Sequence, residues 1–263
     1  MTDVKLREHR ALWGRKPALR GVYTDCYQRM VAACRSGRTL ELGGGPGNFK
    51  TFAGTKDLDV VSTDIVFTPW LDAVCDGHYL PFVDGAFDNI VMFDVLHHLA
   101  KPRLFFAEAQ RVLKPGGRLV MVEPAITAGS RLFYTFLHPE PVRMAEDPLA
   151  TGPPDPDRDP FDSNQAFPTL LFRRQRRRFE AAFPALGIRA VRWFSFLAYP
   201  LSGGFRPWSL VPARLVDPLL RLEAAIEPYL GRLLGFRMIT VLERRPVADE
   251  ADRCDPGPQE RAG

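Results

Sequence analysis

A run of glycines behind a short apolar segment constrains the fold of this chain of 263 residues more than any other feature. Thr39–Leu42 is β-prone and contains Glu41, and glycines follow at positions 43, 45 and 47. Glycine adopts positive φ angles and has no Cβ to keep a ligand away from the backbone. A strand that ends in such a loop and feeds a helix is typical of nucleotide-cofactor sites at the carboxyl edge of an α/β sheet. The sequence therefore predicts an α/β fold with a cofactor at this loop.

The spacing of the glycines separates two classes of cofactor. A dinucleotide fingerprint requires the frame G-x-G-x-x-G. Its last position falls on Asn48 when counted from Gly43 and on Lys50 when counted from Gly45. The chain instead has an acid-x-G-x-G-x-G frame that begins at Glu41. A dinucleotide-dependent oxidoreductase is therefore disfavoured.

Two further acids follow predicted strands. Val60–Asp64 is rich in β-branched residues, and the carboxylate of Asp64 is suited to accept both ribose hydroxyls of a nucleoside. A third predicted strand, Trp70–Cys75, is followed by Asp76 and Gly77. A carboxylate here accepts a hydrogen bond from the exocyclic amine of adenine, and neighbouring N–H groups meet the ring nitrogens. A fourth predicted strand covers Ala86–Asp94.

The complete series of motifs resembles the class I methyltransferases that use S-adenosylmethionine (SAM), a superfamily that includes quinone-precursor and many small-molecule methyltransferases. The resemblance covers roughly residues 38–124. The matching segments are Glu41–Gly47, Asp64, Asp76, Leu80–Phe82, Phe87–Asp88, Leu96–Leu99 and Arg111–Gly117.

This resemblance implies a Rossmann-like, doubly wound sheet of seven strands, mostly parallel with an antiparallel last strand. It implies SAM as the cofactor, bound at the loop that Glu41 opens. The methionine part would lie on Gly43, Gly45 and Gly47, the ribose on Asp64 and the adenine on Asp76 and Gly77, while the backbone of Phe93 and Asp94 would meet the amino group.

Composition and patterning suggest how the rest of the chain is organised. We expect an N-terminal helical segment at 1–37, a methyltransferase domain at 38–245 with apolar insertions at 125–170 and 199–235, and a disordered tail at 246–263. The chain has no run of 18 apolar residues, no secretory signal at its start and no C-x-x-C pair among its four cysteines. These features favour a cytoplasmic protein with reduced thiols.

The acceptor side of the site is expected in the insertions. Ser130–Pro141 follows a fifth predicted strand, Arg118–Pro124, and carries Tyr134, His138 and Glu140 among aromatic residues. We consider His138 first as a general base for an oxygen acceptor, then Glu123, Glu140 or Tyr134. Alternatively, these aromatic residues only fill the space under a surface excursion. His97 and His98 serve either the cofactor pocket, which we favour, or acid–base catalysis.

The predicted partner is a small, lipophilic or aromatic molecule that is methylated on oxygen or carbon, because the connection at 199–235 is long and apolar. Contact with a membrane surface stays open. No nucleic-acid motif occurs and no metal-ligand cluster is visible, so we expect neither nucleic acid nor a metal. The five arginines between Arg173 and Arg178 suit either a solvated helix face or an anion site. The alternative function is a SAM-binding regulatory or partner protein without catalysis.

Overall fold

Seven strands form one sheet in the order β3-β2-β1-β4-β5-β7-β6 in the computed structural model, which describes residues 2–54, 56–155 and 157–246. The strands are β1 Gly37–Leu42, β2 Leu58–Asp64, β3 Ala73–Val74, β4 Phe87–Phe93, β5 Leu113–Pro124, β6 Leu186–Phe194 and β7 Arg237–Arg244. Only β7 runs against its two neighbours, β5 and β6. The predicted fold class, with its antiparallel last strand, is confirmed. The expected tail from residue 247 onward lies outside the described residues.

Helices cover both faces of this sheet. They are α1 Thr2–Arg15, α2 Pro17–Ala33, α3 Asn48–Ala53, α4 Pro102–Val112, α5 Ala128–Phe136, α6 Phe167–Thr169, α7 Arg176–Ala182, α8 Ala198–Ser202 and α9 Ala213–Leu234. Proline begins α2 and α4, where its missing N–H costs no hydrogen bond. A capping box between Thr127 and Ser130 fixes the start of α5 beside the end of β5.

The core consists of two apolar layers, one on each face of the sheet. One layer packs α4 and α7 against the sheet and contains Phe106 and Phe179. The other packs α2 against the opposite face and contains Tyr23 and Tyr27. Cys26, Cys34 and Cys75 are free thiols. Among the described residues, no helix combines the length and the apolarity that crossing a membrane requires.

Three elements differ from the sequence prediction. The third strand is limited to Ala73–Val74. The residues before it make other contacts: the Asp72 carboxylate accepts hydrogen bonds from the Ser62 amide and Lys50, and the Trp70 indole donates one to the Gly45 carbonyl. The predicted helix Thr169–Phe183 is interrupted by a π-helical turn at Leu170–Arg174, which buries three consecutive apolar side chains.

The third difference concerns residues 207–234, predicted as two partly helical segments. From Ala213 onward they form the single helix α9, which continues through Pro218 and Pro228. The prolines are tolerated because both lie on the exposed side, while Val216, Glu223 and Gly231 keep the opposite side buried against the fold.

Candidate functional site

A cavity of about 590 Å³ opens at the carboxyl ends of β1, β2 and β4. Its base is the glycine loop after β1, and its walls come from α1 and from the two stretches predicted as insertions. Lys5 in α1 lies 4.2 Å from the ring centroid of Phe161, and His9 stacks on Phe205 at 4.3 Å. Helix α1 therefore covers part of the cavity.

The glycine loop adopts the conformation that its composition predicts. Gly43, Gly45 and Gly47 have φ angles of 69°, 48° and 78°. A Cβ on Gly43 would come within 2.2 Å of the Val95 side chain, whereas one on Gly45 would find no atom nearer than 3.8 Å. Gly43 and Gly45 line the cavity. Gly47 lies behind them against Trp70 and begins α3, so its part is to shape the turn.

The carboxylates of Glu41 and Asp64 lie on either side of this loop. Asp64 accepts hydrogen bonds from the Gly45 amide at 2.9 Å and the Val66 amide at 3.0 Å. Glu41 accepts a short hydrogen bond from the Ser62 hydroxyl. Burial raises the pKa of Glu41 to about 7, although the bond from Ser62 opposes the change. Both acids line the cavity.

Asp76 and Gly77 border the next part of the cavity wall, beyond β3. One carboxylate oxygen of Asp76 meets the His78 amide at 2.9 Å and the His78 Nδ1 at 2.6 Å. The imidazole in turn accepts a hydrogen bond from the Lys101 amide through Nε2, at 3.2 Å. The carboxylate is thus held in place and keeps a second oxygen for a ligand.

Phe93 and Asp94 line the cavity at the end of β4. Asp94 has a φ of 57°, which is uncommon for a residue with a side chain. Its carboxylate forms a two-pronged ion pair with Arg237, at 2.5 and 2.8 Å. The buried Arg237 guanidinium also lies 4.1 Å from the centroid of Tyr199. This ion pair joins β4 to β7 and fixes the strained Asp94 backbone beside the cavity.

At the cavity wall, His97 lies between two carboxylates. Its Nδ1 meets Glu123 at 2.6 Å, and its Nε2 meets Glu140 at 3.3 Å. Burial alone would lower the pKa of His97, but the two carboxylates outweigh it and raise that pKa to about 10. Glu123 also accepts the amides of Val95 and Leu96, and it does not reach the cavity. Its position therefore supports an action through His97 rather than direct contact with a substrate.

The remaining base candidates line the cavity on the insertion side. His138 accepts the Glu140 amide at 3.3 Å, and burial lowers the pKa of its imidazole, which keeps the ring neutral. Burial raises the pKa of Tyr134 well above its usual range, and its hydroxyl donates to the Phe236 carbonyl at 2.9 Å. Tyr134 is thus a neutral, engaged group, and His138 is a neutral imidazole whose accepting nitrogen is Nδ1.

Comparison with known proteins agrees with this geometry. Residues 40–121 match the family model described as a methyltransferase domain. The demethylmenaquinone methyltransferase of Renibacterium salmoninarum is 32% identical over 103 residues, which is 35% of this chain and 44% of that protein. The ubiquinone/menaquinone biosynthesis C-methyltransferase UbiE of Cellvibrio japonicus is 41% identical over 63 residues, 24% of this chain and 23% of that protein. The chain spans less than half the length of these curated relatives.

A solved structure extends the likeness to the fold of nearly the whole chain. The complex between the Haloferax volcanii Trm112 methyltransferase activator and a methyltransferase contains a chain that matches with a TM-score of 0.51 and 15% identity. The match covers 94% of this chain and 98% of that chain. The family match thus places a methyltransferase domain at residues 40–121.

SAM is the cofactor of this domain class, and the residues of the cavity fit it. A Cβ on Gly45 would meet no atom nearer than 3.8 Å, so a ligand can approach the backbone there. Asp64 and Asp76 present acceptors at the cavity wall, fixed by amides on the same loops. The cavity thus brings together all of the predicted cofactor residues except Gly47, which does not line it.

Two features of the site escaped prediction from sequence. Arg237 is separated from Asp94 by 143 residues, and a single arginine at the start of a β-prone strand gives no signal of such a pairing. The convergence of His97, His98 and Glu140 was also missed, because the sequence alone shows no such cluster. The histidine pair was visible in the sequence, but its partner is more than forty residues away.

The arginine run does not enter the methyltransferase cavity. Arg176 pairs with Glu180 and Arg178 with Asp147, both at 3.0 Å between exposed side chains. Arg173 and Arg174 border a separate, smaller hollow at the start of α5. These contacts favour the interpretation of the run as a mainly solvated face.

Proposed function

We propose that this chain is a SAM-dependent methyltransferase that acts on a small acceptor. One observation carries the proposal: a single continuous cavity is lined by the glycine loop, Asp64 and Asp76 on one side and by His138, Glu140 and aromatic residues on the other. SAM supplies a methyl group on an already activated sulfonium. The protein then mainly has to align the acceptor with that methyl group.

The acceptor side supports a lipophilic or aromatic substrate. Its wall contains aromatic side chains from both insertions, namely Phe133, Tyr134, Tyr199, Phe205 and Trp208. Aromatic walls bind flat or apolar molecules through large contact areas and favourable ring geometries. The names of the relatives, which refer to menaquinone and ubiquinone biosynthesis, point in the same direction. We infer methylation of oxygen or carbon on such a molecule.

We infer that a residue of the 137–140 segment removes a proton from the acceptor. His138 is our first candidate, because its neutral imidazole borders the cavity. Glu140 is the second, and it stays ionised because His97 and the other nearby histidines lower its pKa despite burial. Glu123 acts as a positioning residue for His97. Tyr134 orders the wall through its bond to the Phe236 carbonyl.

Cofactor binding is tested by calorimetry with S-adenosylhomocysteine. Replacement of Asp64 by Ala removes a carboxyl acceptor for the ribose, so we expect a loss of affinity of roughly 10- to 100-fold. Asp59→Ala is the matched control, because Asp59 is an exposed acid on the same strand, β2. Unchanged affinity in Asp64→Ala would remove this residue from the cofactor site.

Catalysis is tested separately with methyl-labelled SAM in a cell extract, followed by mass spectrometry of the metabolites that gain a methyl group. Transfer of label that depends on the protein supports the enzyme. Binding of S-adenosylhomocysteine without any transfer would instead support a SAM-binding regulatory or partner protein.

We also infer that the chain rests on an anionic membrane surface beside the mouth of the cavity. In α9, Leu215, Leu222, Tyr229 and Leu233 are exposed and fall on one stripe, at spacings of seven, seven and four residues. Arg214, Arg221 and Arg232 are exposed along one flank of this stripe. Apolar stripes flanked by arginine are typical of helices that lie in the membrane interface.

The same surface continues from α9 to the cavity. Gly129 of α5 lies against Leu234, and α5 ends in Phe136, which is 75% exposed, followed by Leu137. Arg206 donates to the Leu137 carbonyl at 3.0 Å and, like Trp208 nearby, lines the cavity. A lipophilic acceptor could therefore pass from the bilayer to the site without crossing water.

Vesicle sedimentation tests this surface. We expect binding to vesicles that contain anionic lipid, weaker binding to neutral vesicles, and loss of binding in the double variant Leu222→Ser, Tyr229→Ser. Val83→Ser is the control, since Val83 is 76% exposed but lies outside this surface. No binding to either vesicle, or a dimer that the double variant dissociates, would contradict the inference.

A further inference from the structure

His97, His98 and Glu140 converge at the cavity in a way that the methyl-transfer proposal does not use. One potential ligand atom from each lies within 4.8 Å of the other two. The closest measured approach is 3.3 Å, between His97 Nε2 and Glu140 Oε2. All three residues line the cavity. Two imidazoles and one carboxylate form a donor set typical of sites for first-row transition ions.

The Nδ1 atoms of the two imidazoles have the hydrogen-bond acceptors that are typical of metal sites. His97 Nδ1 lies 2.6 Å from the Glu123 carboxylate, and His98 Nδ1 lies 3.3 Å from the Asp162 carbonyl. In metal sites the ring nitrogen that does not bind the ion donates to a carboxylate or a backbone carbonyl. Here both Nδ1 atoms have such an acceptor, which leaves Nε2 of each ring as the ligand.

The carboxylate is oriented as well. Glu140 Oε2 accepts the Ser163 hydroxyl at 3.1 Å and a short hydrogen bond from the Gln165 amide. Gln165 is 2% exposed and lines the cavity, and within the described part of the chain no partner reaches its Oε1. A buried amide oxygen without a partner is costly unless a ligand or water meets it. It is an additional oxygen donor beside the cluster.

We propose that His97, His98 and Glu140 bind one divalent transition-metal ion, such as zinc, manganese, iron or cobalt, at the acceptor end of the cavity. In the metal-free chain Glu140 pairs directly with His97, and the ion takes the place of that contact. Because all three ligands border the cavity, the open side of the ion faces it. That side is suited to an oxygen of the acceptor, a step that rests on the proposed methyltransferase function, whereas binding of the ion does not.

Cobalt(II) is the probe for this site, because its visible absorption reports the ligands directly. The full chain is treated with a chelator, dialysed and titrated with cobalt chloride, and the stoichiometry is measured by calorimetry and by elemental analysis. We expect one ion per chain. His98→Ala and Glu140→Gln should each weaken binding by at least about tenfold, because each loses a direct ligand. Glu123→Gln should weaken it by roughly 10- to 100-fold, because the support of His97 is lost.

His9→Ala is the matched control, since His9 also lines the cavity but stacks on Phe205 outside the cluster. It should bind cobalt as the unchanged chain does. Thermal melting and affinity for S-adenosylhomocysteine show that each variant is folded. No stoichiometric binding, or binding that His98→Ala and Glu140→Gln leave unchanged, would overturn the proposal.

The outcome is separable from that of the proposed function. A metal-free chain that binds S-adenosylhomocysteine and transfers methyl groups at full rate would show that the ion has no part in catalysis. Cobalt bound with the expected variant pattern, but without S-adenosylhomocysteine binding, would overturn the methyltransferase proposal and leave the metal site standing.

Discussion

Glu41 shows how one buried side chain links the cofactor loop to stability. Burial raises its pKa from 4.5 to about 7. A raised pKa in an acid means that the folded state binds the proton more tightly than the unfolded state. The contribution of Glu41 to folding is therefore complete below pH 4.5 and is lost as the pH rises through 7.

Replacement of Glu41 by Gln should remove this pH dependence. The free energy of unfolding of the unchanged chain, relative to the variant, should fall by roughly 3 kcal/mol between acid and neutral pH. Denaturant unfolding at a series of pH values measures the difference. Glu180→Gln, on the exposed side chain that pairs with Arg176, should give a curve parallel to that of the unchanged chain. A constant difference for Glu41→Gln would contradict the raised pKa.

His138 carries the prediction about catalysis. Removal of a general base lowers turnover by roughly 10²- to 10⁴-fold, so His138→Ala should reduce label transfer from SAM to this extent. Affinity for S-adenosylhomocysteine should be unchanged, because His138 lies on the acceptor side of the cavity. Equal transfer rates in the variant and the unchanged chain would exclude His138 from the mechanism.

Site residues at the ends of strands could be predicted from the sequence, whereas contacts between residues distant in sequence could not. Gly43 follows β1, Asp64 ends β2 and Asp76 lies two residues after β3, so the sheet itself brings them to one edge. The contact between His97 and Glu140 depends instead on how the 137–165 segment folds back over the cavity. No local periodicity encodes such a return, because it is set by the packing of Tyr134 and Phe167 underneath.

At the scale of elements, strand and helix types were predictable and irregularities were not. Alternation and apolar runs identify β4 and α4, whose ends also carry turn residues. The π-helical turn at Leu170–Arg174 and the continuity of α9 through its two prolines have no local signal. Both depend on burial of apolar side chains against the rest of the fold, and this burial outweighs local helix propensity.

The packing of α9 on β6 gives a prediction at this scale. Gly231 is buried in α9, and a Cβ there would lie 2.2 Å from the Trp193 carbonyl oxygen of β6. Gly231→Ala should therefore destabilise the chain by roughly 1–3 kcal/mol, since neither backbone can move freely. Gly14→Ala is the control, because a Cβ at Gly14 in α1 has no neighbour within 4 Å.

In Gly14→Ala the gain in helix propensity should instead stabilise the chain by up to about 1 kcal/mol. Denaturant unfolding of the two variants measures both changes. If Gly231→Ala were as stable as Gly14→Ala, α9 would not pack on β6 as closely as described.

For the whole molecule, the cavity joins four parts of the chain that are distant in sequence. The sheet edge forms the base, while α1 and the segments around Phe161 and Phe205 form the cover. The contacts that hold this cover include partly exposed ones, such as Lys5 on Phe161 and His9 on Phe205. Segments held by few buried contacts open locally at low free energy.

Cofactor binding should therefore slow amide hydrogen exchange in α1 as well as in the glycine loop. A ligand that binds the closed form shifts the opening equilibrium in proportion to its excess over the dissociation constant. Exchange measured by mass spectrometry, with and without S-adenosylhomocysteine, should show new protection at Leu42–Pro46, Asp64–Val66 and α1. Helix α7, whose arginines lie outside the cavity, should exchange at the same rate in both states. Protection confined to the glycine loop would mean that α1 does not cover the bound cofactor.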